Sequence, residues 1–266
     1  RMYRSTLSFF TICLSGSILL DDPVYAIQYG IDDKYAWIFA VGVNGTVFKS
    51  SDAGQTWKCV HCRNKVTSMD LNGVHFMSSL TGMAVGDQGT IMATINGGSN
   101  WMLQPTPTTQ DLYGVHMFSS DTAYAVGANS TMLSTVDGGA TWTLIDPVYC
   151  HGSKISLRSI RFTDISNGVM VGDCDWWFNT LDGGKTWQYF SLDALSGAGN
   201  AQLRYLAMDV NGNLAAVGDA DAGPLIFYVT RVLNDDNDHA NFTWAPLALP
   251  GAADAPGVEL HGASFV

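Results

Sequence analysis

One octapeptide occurs four times in this chain, and that recurrence restricts the fold more than any other feature. The copies are Ser50-Ser51-Asp52-Ala53-Gly54-Gln55-Thr56-Trp57, Thr94-Ile95-Asn96-Gly97-Gly98-Ser99-Asn100-Trp101, and the stretches 135–142 and 180–187. The last two read Thr-x-Asp-Gly-Gly-x-Thr-Trp and end on Trp142 and Trp187. Successive tryptophans are 44, 41 and 45 residues apart. That period is the length of one four-stranded blade, so the chain is expected to be an all-β propeller.

The composition of the box follows from the turn it has to build. An Asp or Asn side chain accepts hydrogen bonds from the amides of the turn that follows, and Gly reaches positive φ without steric cost. Turn formation therefore accounts for Asp52, Asn96, Asp137 and Asp182 without any catalytic role. Trp57, Trp101, Trp142 and Trp187 each offer a large apolar face, expected to clamp the hairpin against its own sheet.

A second pattern precedes each box. Leu71-Asn72-Gly73-Val74-His75-Phe76 recurs in related form at 112–117, 157–162 and 203–208, alternating as an inner strand should. Val85-Gly86, Val126-Gly127, Val171-Gly172 and Val217-Gly218 then close a second strand. A third strand and the strand after the box bring each repeat to four.

The first blade is expected to start near Ile27, and a fifth to run from Leu203 to about Trp244 with an acidic stretch, 234–238, in place of the box. A sixth begins at 260–266, and its missing strands resemble Gly16-Ser17-Ile18-Leu19 near the N-terminus. On this reading 1–266 is one propeller closed by both termini, with 1–26 as strands of the closing blade; a fragment of a larger propeller is the alternative. The N-terminus also supports a signal peptide, 1–26, ahead of a propeller at 27–266. Arg1 and Arg4 precede an apolar run, and Val24-Tyr25-Ala26 resembles a cleavage triplet.

With 24 acidic against 13 basic side chains, the formal charge of -11 opposes nucleic acid or an anionic membrane face as a partner. Beyond Cys13, the four cysteines Cys59, Cys62, Cys150 and Cys174 fit an oxidising compartment. Cys59 and Cys62 have zinc-ligand spacing, but a structural site needs four ligands, and Cys150-His151 is the only supplement. Neither metal nor cofactor is expected.

With its boxes and Val-Gly turns, the sequence resembles the photosystem II stability/assembly factor family over about 27–244. Stretches 135–142 and 180–187 match most closely, while Asn96 with Asn100 and the fifth repeat depart from the pattern. Asp boxes, or BNR repeats, also occur in sialidases, glucan-cleaving hydrolases and sorting receptors, so the box alone defines architecture. The resemblance implies a non-enzymatic exported protein of the thylakoid lumen, periplasm or extracellular space. Such a protein holds a membrane-protein subunit or assembly intermediate, partly through a basic patch, without inserting into the membrane itself. Its possible counterparts here are Arg158 and Arg204, at one place in successive repeats, with Arg161 and Lys154.

Aligned repeats put Asn72, Tyr113, Arg158, Arg204 and His261 at one position, and His75, His116, Arg161, Ala207 and Ser264 at another. Equivalent positions circle a propeller axis. Arg158, Arg161, Arg204, His75 and His116 are thus the candidate partner-binding residues, with interblade packing as the competing role. A scaffold needs no nucleophile. A glycoside hydrolase needs facing carboxylates ~5 to 10 Å apart, and no motif singles out a pair among Asp111, Asp164, Asp173, Asp175 and Glu259. A sialidase-like site needs an arginine cluster beside a tyrosine, and the arginines are spread out. Carbohydrate binding would draw on Trp176-Trp177, one of which strand alternation turns towards the core.

Placing the cysteines on the repeat adds one expectation. Cys150 lies in the connection into the fourth blade and Cys174 in the turn after its second strand. Both fall at the same end of that sheet, so a Cys150–Cys174 disulfide is expected. Cys59 and Cys62 lie more than a blade away and are either joined locally or left as thiols.

Overall fold

The computed structural model describes residues 24–32, 35–62, 65–191, 202–208, 213–220, 223–233 and 240–246. Of the segments expected to close a sixth blade, 1–26 and 260–266, residues 1–23 and 260–266 lie outside these residues, as does the acidic stretch 234–238, while Val24, Tyr25 and Ala26 belong to the first blade. Five sheets of four antiparallel strands follow one another along the chain, each ordered as in the sequence. The first holds β1 (Val24–Asp32), β2 (Tyr35–Gly42), β3 (Val47–Ser50) and β4 (Lys58–Cys59). The second holds β5 (Leu71–Phe76), β6 (Gly82–Gly86), β7 (Ile91–Thr94) and β8 (Met102–Leu103). The third holds β9 (Leu112–Met117), β10 (Ala123–Gly127), β11 (Met132–Thr135) and β12 (Thr143–Leu144). The fourth holds β13 (Leu157–Phe162), β14 (Gly168–Gly172), β15 (Trp176–Thr180) and β16 (Gln188–Ser191). The fifth holds β17 (Gln202–Met208), β18 (Leu214–Ala220), β19 (Gly223–Leu233) and β20 (Ala240–Pro246). These are propeller blades, and the fold class is an all-β propeller. The first strand starts at Val24 rather than near Ile27. Blades one to three lie in one compact unit, 1–145, and blades four and five in another, 146–266.

Successive residues of a strand face opposite sides, and in blade two both sides are apolar because it is packed on both faces. In blade two, Ala84 and Met92 cluster with Trp37, Phe39 and Val41 of blade one. Their strand neighbours Met83, Val85 and Ile91 cluster instead with Leu112, Val115 and Leu133 of blade three. Blades four and five share a core in the same way, through Val169, Val171 and Trp177 against Leu203, Leu206 and Phe227.

The box tryptophans pack on their own sheets, as expected: Trp57 on Ala40 and Phe48, and Trp187 edge-on to Phe162. Trp101 lies edge-on to Phe76 of its own blade within the core between blades one and two, and Trp142 belongs to the core between blades two and three. These two indoles cover their own sheet and at the same time join it to the blade before.

Box geometry is the same from blade to blade. Asp137 Oδ1 accepts the Thr141 amide at 2.9 Å and the Thr135 hydroxyl at 2.7 Å, while Oδ2 accepts the Thr141 hydroxyl at 2.6 Å. Thr135 Oγ1 in turn accepts the Gly139 amide at 2.9 Å. Asp52 and Asp182 repeat this set, and Asn96 keeps the bonds to Thr94 and to the Asn100 amide. Hydrogen bonds from Thr56 and Ser50 hold Asp52 down to about 2. Those from Thr141 and Thr135 do the same for Asp137, also to about 2. Burial pushes Asp182 upward, but its bonds from Thr186 and Thr180 outweigh this and leave it below the usual carboxylate value. The first box carries Ala53 at φ 56°, where the other three have glycine.

The recurring Val-Gly has a different cause. A Cβ on Gly86, Gly172 or Gly218 would collide with the carbonyl of Asp70, Ser156 or Gln202, the residue ahead of the blade's first strand or opening it. Among the described residues there are two disulfides, Cys59–Cys62 and Cys150–Cys174, the latter spanning 24 positions.

Candidate partner-binding site

Each first strand carries a β-bulge whose extra residue is Tyr25, Asn72, Tyr113, Arg158 or Arg204. A bulge re-aims its side chain away from the ladder. In blade two Asn72 donates to Asp87 Oδ1 at 2.8 Å and to the Leu112 carbonyl of blade three at 3.1 Å. In blade four Arg158 grips Asp173 with two donors, Nε at 2.7 Å to Oδ1 and Nη2 to Oδ2. In blade five Arg204 Nε donates to Asp219 Oδ2 at 2.7 Å. In all three the partner stands 15 residues further on, at the Asp after Val-Gly.

Arg204 and Arg158 both act electrostatically on Tyr205. Burial raises its hydroxyl above the usual value and Asp219 adds to this, while Arg204 and Arg158 pull the other way. Both ion pairs are half-buried, with side-chain exposures of 22% and 25% for Arg158 and Asp173, and 28% and 21% for Arg204 and Asp219. Asp219 Oδ1 is buried with no hydrogen-bond partner among the described residues.

Arg161 lies three positions beyond Arg158 on β13. Its Nη1 donates to the Ile160 carbonyl at 2.7 Å, and no carboxylate lies within ion-pair reach among the described residues. Burial lowers its guanidinium to about 10, so it stays protonated at neutral pH.

The histidines occupy the other unit and serve the blade contact. His116 is 4% exposed, and the His75 ring lies 4.6 Å from it. His75 Nδ1 accepts the Met117 amide of blade three at 3.2 Å. Gln28 holds the same place in blade one and donates to the Phe76 carbonyl of blade two at 2.8 Å. Ser159 Oγ accepts the Leu206 amide at 3.2 Å between blades four and five. Within each unit, first-strand side chains thus tie one blade to the next. Lys154 is exposed in the loop ahead of β13.

Sequence reasoning does not pair Arg158 and Arg204 with Asp173 and Asp219, nor bring in Tyr205. The signal is nonetheless present, since Asp follows Val-Gly in repeats two, four and five but gives way to Ala128 in repeat three.

The remaining candidate acids hold structure. Asp111 Oδ1 accepts the Gln88 amide at 3.0 Å, and Asp164 Oδ1 accepts the amides of Ser166 and Asn167 at 2.9 and 2.8 Å. Asp175 faces His151 at 3.0 Å. Glu259 lies outside the described residues. Trp177 is buried, whereas Trp176 is half-buried and stacks on exposed Tyr189 at 4.4 Å. Among the described residues no helix is long and apolar enough to cross a membrane.

Blades fixed by Asp boxes, with a cluster of arginines on two of them, define a BNR-repeat propeller. The chain belongs to the photosynthesis system II assembly factor YCF48 family, whose profile matches residues 23–95 and 93–203. No curated protein sequence matches it. Among solved structures, YCF48 bound to D1 peptide aligns with a TM-score of 0.56 at 18% identity, covering 84% of this chain and 67% of that one. YCF48 from Cyanidioschyzon merolae aligns with a TM-score of 0.60 at 15% identity, covering 86% and 73%. A GH74 enzyme from Niastella koreensis gives a TM-score of 0.59 at 15% identity, but its match spans only 38% of that enzyme. At such identities these likenesses establish the fold alone.

Proposed function

We propose that this protein is a non-enzymatic scaffold that holds a photosystem II subunit or assembly intermediate through the arginines of blades four and five. The observation that carries the reading is Arg161, a half-buried cation with no carboxylate in reach among the described residues, on the same strand as Arg158. A desolvated charge without a counter-ion favours an anionic group brought by a partner. Arg158 and Arg204, both acting on Tyr205, extend the recognition surface, and Asp219 Oδ1 offers an acceptor for a partner's donor. The D1 peptide bound to one YCF48 supports a peptide segment of a protein as the kind of partner.

Catalysis is not favoured, because Asp111, Asp164 and Asp173 already serve turns or ion pairs. An exported location suits the two disulfides. An affinity pull-down from the native membrane fraction tests the reading. Recovery of a photosystem II component is expected; recovery of none, together with glycan turnover by the purified protein, would move the protein to the hydrolases.

A further inference from the structure

One corner of blade four gathers four metal-ligating side chains that partner binding leaves unused. Cys150 and His151 stand in the loop ahead of β13, and Cys174 and Asp175 form the turn into β15. Asp175 Oδ1 is their meeting point. His151 Nε2 lies 3.0 Å from it, Cys174 Sγ 3.4 Å and Cys150 Sγ 3.6 Å. Around a tetrahedral zinc ion with the usual bond lengths, a sulfur and an oxygen ligand sit about 3.5 Å apart and a nitrogen and an oxygen about 3.3 Å. All three distances to Asp175 are thus close to those of a filled coordination sphere. The two bonded sulfurs would have to part, to about 3.8 Å, across a Cα separation of 6.5 Å, and the exposed His151 ring would have to swing towards them, since Cys150, Cys174 and Asp175 alone already lie within 4.8 Å of one another.

We propose that reduction of the Cys150–Cys174 disulfide converts this corner into a zinc site, with Cys150 Sγ, Cys174 Sγ, His151 Nε2 and Asp175 Oδ1 as the ligands. Two thiolates with an imidazole and one carboxylate oxygen suit zinc over calcium or magnesium, which take oxygen ligands. The surroundings hold the ligands in place. The His151 ring packs 4.5 Å from Trp176, itself stacked on Tyr189, and reciprocal 2.9 Å bonds between the backbones of Cys150 and Ser153 close the loop. Such support around the ligands strengthens metal affinity.

The other cysteine pair lacks this set. His61 sits between Cys59 and Cys62, but its Nδ1 bonds the Gly45 carbonyl at 2.6 Å and its Nε2 accepts the Val66 amide at 3.0 Å. Among the described residues, the Cys150, Cys174 and Asp175 cluster is the one group of three or more such ligands.

The chemistry balances with a dithiol reductant. It supplies two electrons and two protons, the S–S bond breaks, and the dithiol closes to its own disulfide. Zinc then displaces the two thiol protons to solvent. The same two segments are therefore tied by a covalent bond when oxidised and by a metal when reduced.

The test uses the full chain, reduced with a dithiol, desalted under argon and titrated first with cobalt and then with zinc against a chromophoric chelator. One ion per chain is expected, with thiolate-to-cobalt charge transfer and the visible bands of tetrahedral cobalt. The Cys59→Ser/Cys62→Ser double variant should keep both. His151 has a side-chain exposure of 65%, so His151→Ala should fold normally. It should bind zinc about tenfold more weakly or worse, and Cys174→Ser should lose most of the charge-transfer band. No uptake by the reduced protein, or uptake undiminished in His151→Ala and Cys174→Ser, would overturn the proposal.

Discussion

Blades one to three and blades four and five are built from the same parts, yet they differ at two positions of the first strand. The bulge residue is Tyr25, Asn72 or Tyr113 in the first group and Arg158 or Arg204 in the second. Three positions further on, Gln28, His75 and His116 stand in the first group, while blade four has Arg161. In the first group Gln28, Asn72 and His75 bond the backbone of the next blade. The architecture therefore does not require positive charge at these places, and in blade five Ala207 holds the second of them. On the proposed function, the positive charge collected on two blades is an addition to a repeated frame.

That comparison can be broken or sharpened, beginning with the largest effect. Phe39→Ala, which empties the stack on Phe76 between blades one and two, should cost about 3 to 5 kcal/mol in denaturant melts. A cost under about 1 kcal/mol would mean that the interblade cores do not carry the fold. Cys150→Ser should cost about 3 kcal/mol by freeing a loop closed over 24 positions. Its effect should centre on blades four and five, which limited proteolysis would locate.

The boxes should behave alike in both groups. Asp137→Ala and Asp182→Ala should each lower the denaturant midpoint without changing partner affinity, because each removes the bonds that fix one turn. A loss of affinity with unchanged stability would contradict the structural assignment. Since the folded carboxylates of Asp52 and Asp137 are depressed, their contribution is present above the ordinary value of 3.8 and is lost as pH falls towards about 2. Acid melts of the Asp52→Asn/Asp137→Asn variant should show a shallower pH dependence over that interval.

Ala53→Gly, which relieves an L-residue in the left-handed region, should raise stability by about 1 kcal/mol. The smallest effect is expected for Asn72→Arg. Asp87 already occupies the place of Asp173, so the new guanidinium finds a partner and melting should move by less than about 1 kcal/mol.

Much of this was legible because the repeat encodes it. The box spacing marks the blades, the alternation in 71–76 marks an inner strand, and strand order places Cys150 beside Cys174. What local pattern does not carry is the company a side chain keeps. Trp101 and Trp142 read correctly as clamps on their own sheets, but that they also join the preceding blade depends on side chains of another repeat. His75 and His116 read as equally suited to an exposed patch or to packing, and their burial follows only once blade two meets blade three. Arg158 and Arg204 share a repeat position, but their pairing with Asp173 and Asp219 depends on a bulge that a periodicity of two does not reveal.

The central claim is that the arginines of blades four and five hold the partner while the repeats only support them. It is tested most directly by measuring affinity for a D1 peptide, as a function of salt, in the wild type and the Arg158→Ala/Arg161→Ala/Arg204→Ala variant, with thermal melts confirming that the variant folds. Binding weakened by at least about tenfold and a flatter salt dependence are expected, since each lost cation removes a screened attraction. A folded variant with unchanged affinity and unchanged salt slope would contradict the claim.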